Sequence, residues 1–155
     1  MFFDSVLDSR CQMKVFLVVT MLFVCNSFCC AATLSPRHPI FGTWEVIVPG
    51  TKCLETYEFK TNGMKTSWSA EEIEESKFII SPKPNALGYY KLTDTVVSSN
   101  SKLDCLGDSS PVGDIVTVFV RFEQAASIFF YCPSQTQIGC VGPFKRTTRH
   151  PYSGD

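Results

Sequence analysis

The chain has 155 residues, with 14 basic and 15 acidic side chains, a formal net charge of −1 and a hydrophobic content of 45%. That balance suggests neither nucleic acid nor an anionic membrane surface as a partner. The length suits one domain of ordinary size rather than two.

In chain order, the first feature is an uncharged apolar run from Val15 to Cys30, preceded by Lys14 and closed by small residues at Ala31-Ala32. The run is short for a membrane span, which needs about 20 apolar residues. Its basic start, apolar middle and small-residue end form a signal-peptide pattern. Residues 1–32 are therefore expected to be leader and signal peptide, with Met13 as a candidate start and cleavage near Ala31 or Ala32. The leader carries Asp4, Asp8, Arg10 and Lys14, so the remainder keeps the net charge of −1. The expected location is secreted or periplasmic, with no membrane span after cleavage.

Residues 33–40 follow as a flexible N-terminal segment stiffened by Pro36 and Pro39. From residue 41 to 147 the sequence reads as strands, because runs rich in Val, Ile, Thr, Tyr, Phe and Trp recur between Gly, Pro, Asn and Ser punctuation. The first strand spans 41–48. A hairpin comes next at Asn62-Gly63, a pair that suits a two-residue type I′ turn in which both residues take positive φ. That turn sets Tyr57 opposite Trp68 and Phe59 opposite Thr66 on an apolar inner face. Thr56, Glu58, Lys60, Lys65, Ser67 and Ser69 then fall outside, and a one-residue slip would bury lysine.

Further strands are expected at 77–81, 89–97, 102–106, 114–122, 127–132 and 139–146, with a polar tail at 148–155. Short links favour antiparallel neighbours, and a meander of eight or nine strands removes its exposed edges by closing. The expected fold is all-β, a single antiparallel up-and-down barrel, with an open sandwich as the alternative.

Four cysteines follow the leader: Cys53, Cys105, Cys132 and Cys140. In an exported chain an even count indicates two disulfides, and three pairings are possible. A hairpin between the last two strands would bring Cys132 to Cys140, leaving Cys53 for Cys105. Strand counting places those two at opposite barrel ends unless the 102–106 strand is displaced. The cysteine spacing does not suit zinc, and His38 and His150 lie in the end segments, so no metal site is expected.

Gly42-Thr43-Trp44, on the first strand after a short leader, resembles the G-x-W signature of the lipocalin and related calycin barrels. The resemblance implies that Trp44 closes one barrel end and that a late basic residue, Arg146 or else Lys145, packs across its ring. Compact bacterial barrels that inhibit secreted proteases begin with a similar strand and also carry a disulfide.

Catalytic chemistry is not indicated. The run Glu71, Glu72, Glu74 and Glu75 reads as a solvated loop, and serine nucleophiles lack a positioned base. No enzyme activity and no cofactor are expected. The candidate site is the barrel interior, with Tyr57, Phe59 and Trp68 as walls and Glu55 as a polar contact for a small, partly apolar ligand. The alternative is a protein-binding inhibitor or interaction module with a filled lumen, whose surface or leader meets an exported or foreign protein. A lumen cavity of about 300 Å³ or more would favour the first. A monomer is expected in either case.

Overall fold

The structure is a computed structural model that describes residues 34–148. Residues 1–32, expected to be leader and signal peptide, Thr33, and residues 149–155 with His150 lie outside the described residues. Eight strands form the domain: β1 (Gly42–Ile47), β2 (Leu54–Phe59), β3 (Met64–Ser69), β4 (Glu72–Ile80), β5 (Tyr90–Ser99), β6 (Ile115–Glu123), β7 (Ile128–Cys132) and β8 (Val141–Thr147). Each pairs with the next in a closed antiparallel barrel. Closure is made by β1 and β8, with Trp44 opposite Arg146. The described residues therefore form an all-β barrel whose eight strands leave no sheet edge open among them.

Segment 102–106, expected as a ninth strand, is instead part of the long connection between β5 and β6. Its polar side chains take the backbone hydrogen bonds that a ladder would need. Asp104 Oδ1 accepts from the amides of Leu106 and Asp108, and Asn100 Oδ1 accepts from those of Ile73 and Lys102. This displacement allows the long bridge, and Cys53 and Cys105 are joined with Cα atoms 5.7 Å apart. Cys132 and Cys140 are bridged across the β7–β8 connection, with Cα atoms 4.1 Å apart.

One end of the barrel is packed solid. Trp44, Phe59, Phe78, Val120, Phe129 and Phe144 are all buried there. Phe129 stacks on Phe144 with ring centroids 4.5 Å apart and meets Trp44 edge-on at 4.7 Å. Burying each such side chain stabilises the fold by about 1.5–3 kcal/mol relative to exposure.

From Leu34 onward, the segment expected to be flexible packs against this end. His38 and Ile40 are buried, and Trp44 Nε1 donates to the Ile40 carbonyl at 2.7 Å. Arg146 lies across the indole with its guanidinium carbon 4.1 Å from the ring centroid. Its two terminal nitrogens donate to the carbonyls of Phe41 and Pro39, each at 2.7 Å. A planar fork can stack and bond along its edge at once, which an ammonium cannot. Among the described residues, no helix is long and apolar enough to cross a membrane.

Candidate functional site

The site begins with a turn. Lys60 N donates to the Met64 carbonyl at 2.9 Å and Gly63 N to the Lys60 carbonyl at 3.1 Å, so the loop has three residues, Thr61, Asn62 and Gly63. Of these, Gly63 takes a positive φ, +80°, while Asn62 keeps a negative one. Asn62 uses its side chain instead, accepting from Met64 N at 3.1 Å. This is a three-residue hairpin with glycine in the left-handed position, not a type I′ turn.

One extra loop residue slides β3 by one position along β2. Thr56 now faces Trp68, Tyr57 faces Ser67 and Phe59 faces Lys65. Because side chains alternate, the slip turns all of β3 over. Trp68, expected in the lumen, lies half-buried on the outer face beside Thr56, whereas Lys65, Ser67 and Ser69 are buried inside. Burial of a lysine, which would exclude this register on sequence grounds, is made acceptable by partners across the barrel. Lys65 Nζ pairs closely with Asp94 on β5 and lies 3.5 Å from Glu74 Oε1 on β4. It also sits 5.3 Å from the centroid of the Tyr57 ring.

The acidic run behaves likewise. Glu72 and Glu74 belong to β4, share the parity of buried Ser76, Phe78 and Ile80, and are themselves 4% and 9% exposed. The expected solvated loop is thus a strand with alternate carboxylates inside. Glu72 accepts from the Ser110 amide at 2.6 Å and from Ser99 Oγ at 3.3 Å, and Glu74 from Ser76 Oγ at 3.1 Å. Glu55 accepts from Tyr57 Oη at 2.7 Å and from Ser69 Oγ at 2.5 Å.

The barrel therefore has an apolar closed half and a charged open half. In the open half a cavity of about 220 Å³ is lined by the polar side chains of Tyr57, Lys65, Glu74, Asp94 and Tyr131, with Ser110 and Asp114. Leu92 and Val96, on either side of Asp94 along β5, and Val116 and Val118 next to them on β6 complete the lining. Burial, and next the carboxylate of Glu55, push the Tyr57 phenol well above its ordinary range. Burial and then Asp94 do the same to Tyr131. Both phenols are neutral hydrogen-bonding groups at any physiological pH. Among the described residues four buried side-chain polar atoms have no hydrogen-bond partner: His38 Nε2, and, on β3, β5 and β7, Ser67 Oγ, Asp94 Oδ1 and Tyr131 Oη.

Of the four candidate lumen residues, Tyr57 lines the cavity and Glu55 is bonded to it. Phe59 lies in the closed-end core, edge-on to Phe78 at 5.1 Å. Trp68 is outside. The residues missed are Lys65, Glu74, Asp94 and Tyr131. The parity of Glu74 with Phe78 and Ile80, and of Asp94 with buried Leu92 and Val96, was the available signal. Among the described residues, no group of three or more His, Cys, Asp or Glu is placed to hold a metal ion. No protein-family model matches the chain, and neither a curated protein nor a solved structure is significantly similar to it.

Proposed function

We propose that the chain is an exported, non-enzymatic binding protein that holds a small molecule in the open half of its barrel. The observation that carries this reading is the cavity of about 220 Å³, two of whose lining residues, Asp94 and Tyr131, hold buried polar atoms with no partner among the described residues. Native interiors satisfy more than nine in ten such groups, so unmet ones in residues that line a cavity suit an occupant. The volume falls short of the roughly 300 Å³ that would by itself favour a ligand-holding lumen, so the reading rests on the unpartnered polar atoms, and the occupant is compact. The Gly42-Thr43-Trp44 strand and Arg146 resemble the closed end of lipocalin-like barrels, and two disulfides suit an oxidising, secreted or periplasmic location.

Native mass spectrometry of protein from its own source, before and after denaturation, tests the binding reading. A stoichiometric small molecule released on unfolding is the expected result, and a bare protein mass under gentle ionisation would count against it. N-terminal sequencing of the exported form tests the leader, with a start at Ala32 or Thr33 expected.

A protein-binding inhibitor or interaction module is the second reading. It is favoured by the exposed apolar side chains of the β5–β6 connection, where Leu103, Leu106 and Val112 are 60%, 67% and 65% exposed. The leader is a poor contact for such a partner, since His38 and Ile40 are spent on the closed end.

A further inference from the structure

We infer that the ligand of the open half is a small organic cation, a protonated amine or amidine carried on a short apolar or aromatic body. This rests on the binding reading above and names the chemistry of its occupant. Glu74, Asp94 and Asp114 line the cavity, and Glu55 and Glu72 are bonded to the lining residues Tyr57 and Ser110, so five carboxylates stand against the single ammonium of Lys65. That ammonium is already engaged by Asp94 and Glu74. Asp94 meets it through Oδ2, while Oδ1 is buried and unpartnered, in a residue only 8% exposed.

Each kind of occupant can be weighed against those atoms. An anion would be desolvated beside Glu74 and Asp94 with the nearby positive charge already shared between them, an arrangement that disfavours further negative charge. A neutral apolar molecule would leave Asp94 Oδ1 buried without a partner, the costly half of hydrogen-bond energetics. An ammonium or amidinium donates to Oδ1 and to the Tyr131 hydroxyl oxygen, which removes that cost with charge-assisted bonds.

The neighbours of Asp94 shape the rest of the ligand. Leu92 and Val96 flank it on the same face of β5, Val116 and Val118 lie beside them on β6, and all four line the cavity, so the body next to the charged group is apolar, with Ser110 and Asp114 completing the lining. At interior packing density the cavity of about 220 Å³ accommodates on the order of ten non-hydrogen atoms. That is the size of a one-ring amine and excludes a long lipid chain.

Calorimetric titration of the oxidised protein with benzylamine, benzyl alcohol and benzoate, matched in size and differing in charge, is the test. Benzylamine is expected to bind about tenfold or more tighter than either other probe, the margin of a bond to a charged group. Asp94→Asn is expected to bring it down to the level of benzyl alcohol, and Tyr131→Phe to weaken it by a smaller factor. If Asp94→Asn does not fold, the ranking of the three probes by the unaltered protein still decides. Benzoate binding as well as the amine, benzyl alcohol binding as well, or no binding by any probe each overturns the cationic ligand. A neutral or anionic molecule released in the native mass spectrum would leave the binding reading standing while this inference falls.

Discussion

An alanine methyl at Gly42 would lie 2.7 Å from Arg146 Nη1, and the backbone there has a φ of +116°, where side chains other than glycine are strained. The glycine two residues before Trp44 is thus required by the guanidinium that covers the indole. Gly42→Ala is expected to destabilise the barrel by about 2 kcal/mol, from backbone strain and displacement of Arg146 together. A urea midpoint unchanged from that of the unaltered protein would contradict this. In the open half, Lys65 plays the corresponding role for charge. Removing one partner of a buried ion pair leaves the other uncompensated, so Lys65→Met is expected to cost about 3–5 kcal/mol at neutral pH. Lys65→Met combined with Asp94→Leu should recover much of that loss, because it deletes the stranded carboxylate as well. Equal stabilities for the unaltered and single-variant proteins would mean that the pair is not buried.

The eight strands are legible where alternation leaves one face apolar, as Phe78 and Ile80 on β4 and Leu92 and Val96 on β5 do. The first half of β4, Glu72 to Ser76, is not, because its inward side chains are polar and read as a loop before the strand expected at 77–81. The polar members of those faces were harder to assign, since burial of Glu72, Glu74 or Asp94 is decided by partners on other strands. The β2–β3 register was misjudged for the same reason together with turn chemistry: Asn-Gly suits two hairpin types, and burial of Lys65 is acceptable only with Asp94 and Glu74 in view. The segment before β1 was read as flexible because its prolines and short length carry no periodic pattern, although it supplies Ile40 and His38 to the closed end. His38 Nδ1 accepts from Ile40 N at 3.2 Å, its ring lies edge-on to Tyr90 at 4.9 Å, and burial lowers its pKa. The folded state therefore holds the neutral ring, and its contribution is fully present above the unfolded value of about 6.5. As pH falls below that, the unfolded chain binds the proton first and stability declines. His38→Asn keeps an acceptor for Ile40 N without titrating. Chemical unfolding from pH 7 downward should show a flatter loss of stability in this variant over the first unit below about 6.5, and parallel curves would exclude His38 as a contributor.

Two unlike halves share one closed barrel, and the two disulfides are placed unequally between them. The Cys132–Cys140 bridge spans a sequence separation of 8 on the outer face, and Cys53–Cys105 spans 52 and ties the β5–β6 connection to the mouth of the charged half. That connection is also held by the Cys105 amide donating to Ser69 Oγ at 3.0 Å and the Ser110 amide donating to Glu72 at 2.6 Å. Since Ser69 in turn donates to Glu55, the covering loop is anchored on the same inward carboxylates that shape the site. In the chain-entropy picture the long bridge stabilises by about 4 kcal/mol and the short one by about 2.5. Replacing both cysteines of a pair by serine should lower stability in that order, with the two effects additive because the closed loops do not overlap. The long-bridge variant should also exchange its Ser110 amide faster, while Trp44 and its neighbours at the closed end keep their protection until global unfolding. Equal losses for the two variants, or faster exchange at the closed end instead of the mouth, would show that the long bridge does not hold the loop over the site.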